Sequence, residues 1–571
     1  MMLGNEAVAL GAVHAGVKVA AAYPGTPSTE ITEAVALHDG VYSEWSPNEK
    51  VAMEVAIGAS VAGARAMCTM KHVGLNVAAD PAFTAAYTGV GGGLVICVAD
   101  DPGMHSSQNE QDTRILARAA NIPVLEPSDS QEAYDFMRLA FDLSEQYDTP
   151  IILRLVTRIS HSQGIVSTSE PLPQKLLEYK KDITKYVMMP GMAKKRHVVV
   201  EQRMITMQND ASKMDINRVV AGSKVGVITS GAVYNYVKEG LPEASILKLG
   251  LVHPLPKELI REFAATVETL YVAEELEPVI EEQVKAMGIP VIGKEIFSIQ
   301  GELSKNLIAE KIGGVAPPKD QEAVLPGRPP VLCVGCPHRA VFHVLSKMRL
   351  TVSGDIGCYT LGALPPLSAM DTTVCMGASV GMALGMEKAR GRDFAKKSLA
   401  VIGDSTFIHS GITGLIDVVY NRGNTTVLLL DNSITGMTGH QHNPATGKNI
   451  KGETAPALNL EALCRAIGVS DIKRVDPFNM TELEAALRDS LERDGPSVVI
   501  AERPCALLVK EKQPPLEILD NCKKCKMCMK IGCPAIMLSG KDVVIDANQC
   551  NGCGLCVRVC PFQSIGRREQ Q

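Results

Sequence analysis

Three features of this 571-residue sequence predict an α/β chain of parallel-sheet domains that ends in a small cysteine-rich module. Short apolar runs alternate with glycine-bearing loops and helical stretches, the pattern of a parallel sheet covered on both faces. Apolar residues make up 46% and aromatic residues only 4%, with Ala, Gly and Val recurring throughout, which suits layered α/β cores. Eight of the 16 cysteines lie between Cys522 and Cys560. This composition excludes a disordered, collagenous or coiled-coil chain, and the length predicts roughly four domains at about 150 residues each. A net charge of −6 leaves no basic footprint for nucleic acid.

The elements follow in order. Met1–Lys18 contains Glu6, His14 and Lys18 and has no basic leader before an apolar block, so no secretory or transit peptide is expected. With no run of 18 apolar residues, no membrane span is expected either, and the expected compartment is the cytoplasm. In the first segment, 1–165, Val17–Ala22 is strand-like and ends at the turn Tyr23-Pro24-Gly25-Thr26-Pro27-Ser28. Val51–Ala66, rich in Ala and Gly, reads as a closely packed helix. Leu94–Ala99 is another buried strand, followed by the polar loop Asp100–Asp112. Residues 166–220 carry Lys, Glu, Met and Pro without a clean period and read as a connector with some helix. A second α/β unit, 221–313, opens near Lys224–Gly231 and runs through Tyr271–Glu275. Five prolines within 314–330 suggest a stiff linker. In the third unit, 331–510, Ser398–Ile402 ends at Gly403-Asp404-Ser405, and Thr426–Leu430 ends at Asp431-Asn432. After Pro514-Pro515, residues 516–571 form the cysteine module.

That module holds one pattern twice: Cys522-x2-Cys525-x2-Cys528-x4-Cys533-Pro534 and Cys550-x2-Cys553-x2-Cys556-x3-Cys560-Pro561. Thiolates at x2 spacing can wrap one cubane corner by corner. The runs resemble the two-cluster bacterial ferredoxin pattern, in which the fourth cysteine of each run serves the other cluster. The resemblance implies one [4Fe-4S] cluster on Cys522, Cys525, Cys528 and Cys560, and a second on Cys533, Cys550, Cys553 and Cys556. The first run departs by one residue, which Gly532 can absorb. Two zinc sites are the competing interpretation, because C-x2-C pairs also suit zinc. The segment from Lys510 onward carries ten Lys/Arg and six Asp/Glu, a net of +4. This excess either offsets two anionic clusters or is a solvated surface.

Gly403-Asp404-Ser405 and Asp431-Asn432-Ser433-Ile434 each follow a buried strand, and ligands bind beyond the carboxyl ends of parallel strands. An Asp carboxylate and an Asn amide from adjacent strand ends can hold a Mg²⁺ completed by phosphate oxygens. Gly403 lets the backbone approach those phosphates. The pair resembles the thiamine diphosphate signature, with Ser405 in place of its third glycine. The resemblance implies Asp404, Asn432 and the Ile434 carbonyl as metal ligands. An ordinary Asp turn or a different nucleotide site are the alternatives. Such enzymes place a glutamate against N1′ of the cofactor's aminopyrimidine from a separate domain. Glu49, just before the Ala/Gly-rich helix, is the candidate and Glu54 its rival. A glutamate that merely offsets the helix dipole is the plain alternative.

Together with Cys333-x2-Cys336-Pro337-His338-Arg339 and Gly354-Asp355-Ile356-Gly357-Cys358-Tyr359, these motifs occur in one order. The whole chain resembles the alpha subunits of indolepyruvate-type enzymes within the 2-oxoacid:ferredoxin oxidoreductases. The resemblance implies transketolase-like thiamine diphosphate folds: a pyrimidine-binding domain (1–165), a transketolase C-terminal-like domain (221–313), a diphosphate/Mg domain (331–510) and a ferredoxin-type α+β domain (516–571). It implies oxidative decarboxylation of an aryl 2-oxoacid such as indolepyruvate with coenzyme A, reduction of ferredoxin, and a smaller beta subunit. It places Thr26 near the substrate carboxylate. Lys71, His72 and His105 are candidate pocket groups or ordinary surface and core residues. Cys333, Cys336, Cys358 and Cys505 resemble ligands of a third cluster near the cofactor; inert thiols lining the site are the alternative. Cys68, Cys97, Cys375 and Cys464 sit in apolar runs and read as core. A non-redox thiamine decarboxylase with a structural cluster domain, and an electron-transfer scaffold with a degenerate site, are the competing functions.

Overall fold

A computed structural model describes residues 1–316, 329–511 and 513–567 and divides the chain into two compact units, 1–322 and 323–571. Most of the proline-rich stretch at 314–330 lies outside the described residues.

The first unit is built on a seven-stranded sheet. Its order is Leu251–His253, Val124–Leu125, Ile151–Val156, Leu94–Asp100, Ala66–Lys71, Val19–Ala22 and Tyr42–Trp45. All neighbours are parallel except Leu251–His253, which runs antiparallel to Val124–Leu125. The central strands are buried on both faces, which explains their continuous apolar runs. A second, four-stranded sheet has the order Thr269–Ala273, Val225–Ser230, Ser245–Leu249 and Arg218–Val220.

The structure departs from the sequence reading at several boundaries. The Ala/Gly-rich helix spans Glu49–Val61 and stops at Ala62-Gly63, where Gly63 takes φ +94°. Ala66, assigned to that helix, instead opens the fully buried strand Ala66–Lys71. The connector contains a 22-residue helix, Pro190–Ala211, and ends in Arg218–Val220, an edge strand of the second sheet. Within 221–313, Leu251–His253 crosses to the edge of the first sheet, so the segments 1–165 and 221–313 share a sheet.

The second unit carries a five-stranded, wholly parallel sheet in the order Thr351–Ser353, Ser398–Gly403, Thr426–Asp431, Ser497–Glu502 and Asp471–Val475. Gly403 pairs with Leu430, so the two motif-bearing strands end side by side. The cysteine module adds two antiparallel pairs, Glu517–Ile518 with Ile565–Gly566 and Ile536–Ser539 with Asp542–Ile545. Its small apolar core includes Ala340 and Phe478 from the larger domain. Among the described residues no helix is long and apolar enough to cross a membrane.

Candidate active site

Asp404 opens a continuous helical run to Tyr420, immediately past the end of the strand Ser398–Gly403. Its carboxylate is buried, and burial followed by the neighbouring Asp431 pushes its pKa up to about 7. Oδ1 accepts from the Ser405 amide, and Oδ2 accepts from Asn443 Nδ2 at 3.3 Å. The Asn432 amide oxygen lies 2.8 Å from the Ile434 carbonyl oxygen and 3.2 Å from Asp404 Oδ1. Rotating the amide would put its NH₂ there and satisfy both acceptors. With either amide rotamer, the Asp404 carboxylate, the Asn432 side chain and the Ile434 carbonyl converge, and a cation there would draw the Asn432 oxygen inward. Octahedral ligands at about 2.0–2.1 Å from a small hard cation lie about 3 Å apart when adjacent, so this donor set fits such an ion.

The loop that makes this convergence is tightly determined. Asp431 Oδ1 accepts from the Ser433 amide at 3.0 Å, and Ser433 takes φ +59°, which turns the chain and brings Ile434 back. Thr435 Oγ1 donates to Ser405 Oγ at 2.9 Å, tying the two motif loops together. A Cβ at Gly403 would sit 2.7 Å from the Tyr359 ring, and one at Gly357 would collide with the same ring. Asp355 accepts from the Gly377 and Ser379 amides and so caps the helix Ala378–Arg390. The sequence signals singled out neither Asn443 nor the packing role of Tyr359. Asn443 lies in a loop without periodicity, and Tyr359 was visible only as part of a motif.

Cys333, Cys336, Cys358 and Cys505 come together beside this loop. Burial and then the neighbouring Cys505 and Cys333 push the Cys358 thiol up to about 11, and Cys336 rises to about 12 for similar reasons. The Cys505 amide donates to the Asn432 carbonyl at 2.9 Å. Cys358 Sγ lies 3.5 Å from where a Cβ on Gly436 would stand. Cys505 and Cys358 thus border the loop that presents Asn432, and Cys333 and Cys336 are neighbours of Cys358.

The eight cysteines of the terminal module divide between two cavities. One is lined by Cys522, Cys525, Cys528 and Cys560, with Ile518, Val543 and Phe562 among its walls. The other is lined by Cys533, Cys550, Cys553 and Cys556, closed by Leu516, Ile531 and Arg339. The fourth cysteine of each run therefore faces the other run's cavity. Backbone amides donate to these sulfurs, Lys524 to Cys522 at 3.4 Å and Ser564 to Cys560 at 3.3 Å. Among the described residues no three His, Cys, Asp or Glu side chains converge on a single ion. The sulfurs instead surround two spaces, an arrangement compatible with one thiolate per iron of a polynuclear group. Of the four thiols read as core, Cys68, Cys97 and Cys464 are buried. Cys375 is exposed, because it sits in the loop before the helix Ala378–Arg390.

In the first unit, Asn48 accepts from the Val51 amide at 3.0 Å and caps the helix that Glu49 begins. Glu49 is buried and lies along Gly74, where a Cβ would stand 2.6 Å from its Oε1. Glu54 is exposed and paired with Lys50. Thr26 is half-buried, and its carbonyl accepts from Ser106 Oγ at 3.3 Å. Lys71 donates to the Ser106 carbonyl at 2.6 Å, and burial pulls its pKa down to about 8. Asp101 holds the same loop through the Ser106 amide, Ser107 Oγ and Thr157 Oγ1. Ser106 thus brings Thr26 and Lys71 together. His72 is buried at the start of the helix His72–Val77, whereas His105 is largely exposed and pairs with Glu302 at 3.2 Å.

Three family models match parts of the chain. Residues 10–227 match the thiamine diphosphate-binding domain of pyruvate flavodoxin/ferredoxin oxidoreductases, 355–501 the C-terminal binding domain of thiamine pyrophosphate enzymes, and 543–565 a 4Fe-4S binding domain. The indolepyruvate oxidoreductase subunit IorA of Archaeoglobus fulgidus is 42% identical, over 99% of this chain and 97% of its own length. Its counterpart in Pyrococcus abyssi is 42% identical over 99% of this chain and 96% of its own length. That of Methanothermobacter thermautotrophicus is 39% identical over the same shares. A solved 2-oxoglutarate:ferredoxin oxidoreductase from Magnetococcus marinus superposes with TM-score 0.47 at 20% identity, over 55% of this chain and 64% of that one. With two thiamine diphosphate-binding α/β domains, a 4Fe-4S domain and near-complete alignment to these relatives, the chain belongs to the family of the indolepyruvate oxidoreductase subunit IorA.

Proposed function

We propose that this chain carries out the thiamine diphosphate-dependent oxidative decarboxylation of aryl 2-oxoacids, indolepyruvate foremost, with coenzyme A as acyl acceptor and ferredoxin as electron acceptor. The observation that supports this reading is the grouping of Cys333, Cys336, Cys358 and Cys505 beside the loop of Asn432, whose oxygen donors suit a hard cation. A decarboxylase without redox chemistry has no use for thiols there.

In this reading Asp404, Asn432 and the Ile434 carbonyl would hold Mg²⁺, and Gly403, whose missing Cβ makes room for the Tyr359 ring, would present its backbone to the diphosphate. Bound thiamine diphosphate supplies a carbon nucleophile and an electron sink. Glu49 would hydrogen-bond N1′ of the cofactor's pyrimidine. Thr26 and Lys71 orient the substrate carboxylate, by hydroxyl and by charge. Cys533, Cys550, Cys553 and Cys556 hold one [4Fe-4S] cluster, Cys522, Cys525, Cys528 and Cys560 a second, and Cys333, Cys336, Cys358 and Cys505 a third. Such a path runs from the cofactor towards the lysine-flanked Cys525, which is exposed. A smaller beta subunit completes the enzyme, and the compartment is the cytoplasm.

The test is an anaerobic preparation with the beta subunit, supplied with a 2-oxoacid and CoA and read by dye reduction. Reduction that needs thiamine diphosphate, with iron in the protein, is expected. Release of CO₂ without reduction would make the chain a non-redox decarboxylase. Zinc in place of iron, or no turnover at all, would remove the redox reading. Comparing kcat/KM for indolepyruvate, phenylpyruvate, hydroxyphenylpyruvate and pyruvate fixes the substrate class.

A further inference from the structure

Arg339 has a setting that the proposed chemistry does not use. It is the second residue of the helix His338–Met348 and only 2% exposed. All its acceptors are main-chain carbonyls: Nε donates to Cys333 at 2.9 Å and Nη1 to Ile531 at 3.4 Å, with further hydrogen bonds to Leu332 and Gly532. Burial holds its pKa below the ordinary arginine value, and the titratable groups around it are the thiols of Cys533, Cys336, Cys333 and Cys553. A buried guanidinium without a counter-ion is strongly unfavourable, and a cation in the first turn of a helix also opposes the helix dipole. Among the described residues Arg339 is therefore seated where the fold offers carbonyl dipoles and no carboxylate partner.

The seat also involves the longer spacing of the first cysteine run. Gly532, one of the four residues in the lengthened x4 spacing, takes φ +69° and turns its carbonyl onto Arg339. A Cβ there would come within 3.1 Å of Pro366 and 3.2 Å of Arg339 Nη1, so glycine fits both the dihedral and the space. Arg339 at the same time walls the cavity of Cys533, Cys550, Cys553 and Cys556 and holds the Cys333 backbone.

We propose that Arg339 is the fixed counter-charge of the electron path: a cation between the Cys333/Cys336/Cys358/Cys505 group and the Cys533/Cys550/Cys553/Cys556 group that raises the reduction potential of both clusters. This rests on the cluster assignments proposed above. Reduction adds one negative charge to a cluster, and a neighbouring cation stabilises the reduced form more than the oxidised one.

The test uses the full chain purified anaerobically as wild type, R339K and R339Q, with iron counted and each cluster titrated potentiometrically by EPR. R339Q is expected to keep its iron. Its two neighbouring clusters should move to more negative potential by at least tenfold in the one-electron equilibrium, about 59 mV. The cluster on Cys522, Cys525, Cys528 and Cys560 should move less. R339K, which keeps the charge, should stay nearer the wild type. Unmoved potentials in an iron-replete R339Q overturn the proposal. If R339Q does not fold or loses iron, R339K decides. Near-wild-type potentials there support a role for the charge, and loss of the same clusters shows a purely structural anchor and overturns it. A wild type without iron at these two sites defeats the cluster assignment itself, a result separable from any effect of the substitutions.

Discussion

Glu49 and Glu54 stand on one helix, five positions apart, so their side chains leave it about 140° apart. Only one of them can face the interior, and it is Glu49, laid against Gly74, while Glu54 is exposed and pairs with Lys50. Glu49→Gln should abolish turnover while the iron content stays that of the wild type. Glu54→Gln should keep turnover within about twofold, since an exposed i,i+4 ion pair contributes roughly 0.3–0.5 kcal/mol. Activity assays and iron analysis of both variants check this, and full activity in Glu49→Gln would move the N1′ role elsewhere. Gly403 makes a second residue-scale prediction. Because a Cβ there meets the Tyr359 ring at 2.7 Å, Gly403→Ala should weaken thiamine diphosphate binding at least tenfold in a calorimetric titration, with the cysteine clusters unaffected. Unchanged affinity would mean that the ring yields.

At the scale of elements, the two cysteine runs interlock, each contributing its last thiol to the other's cavity. Cys533→Ala and Cys556→Ala should therefore lose the same EPR signal, and Cys528→Ala and Cys560→Ala the other. A pairing by run, with Cys533→Ala and Cys528→Ala alike, would contradict the crossing. The crossing was expected from the resemblance of the twin runs to the two-cluster ferredoxin pattern; the x2 steps alone group three sulfurs of a run and do not say which cavity takes the fourth. Other elements were hidden for physical reasons. Arg218–Val220 and Leu251–His253 have three residues each, too short to show a period of two. The helix Pro190–Ala211 leaves Val198, Val199 and Ile205 in solvent, so its apolar residues form no clean stripe. The two strand-end loops were visible because glycine and Asp-Asn signals sit at the ends of strongly apolar strands.

Across the first unit as a whole, residues far apart in sequence meet in a buried charge network. Arg114 pairs with Asp112 at 2.6 Å and Glu274 at 2.8 Å, and Arg154 pairs with Asp100 and Glu126, both at 2.6 Å. Glu275 lies at its margin, accepting from the Leu303 amide at 2.9 Å. Two guanidinium groups thus face five carboxylates, and burial pushes Glu274 up to about 6 and Glu275 up to about 7. A carboxyl whose folded pKa lies above its unfolded value of 4.5 stabilises the fold most below pH 4.5. That contribution is lost as pH rises towards about 7. Thermal melts should show Glu275→Gln gaining on the wild type across that window, by about 3 kcal/mol at most. A difference that does not change with pH would mean that Glu275 is ionised in the fold throughout.

By itself the sequence determined the α/β class, the paired strand-end motifs and the twin cysteine runs. Each is set by spacing within a few tens of residues, where backbone periodicity and ligand geometry leave little choice. Only the tertiary structure buried Glu49 and left Glu54 exposed, brought Cys333, Cys336, Cys358 and Cys505 near one another, carried Leu251–His253 into the first sheet and seated Arg339 under Gly532. These depend on how irregular segments distant in the chain pack against one another, and local spacing carries no record of that packing.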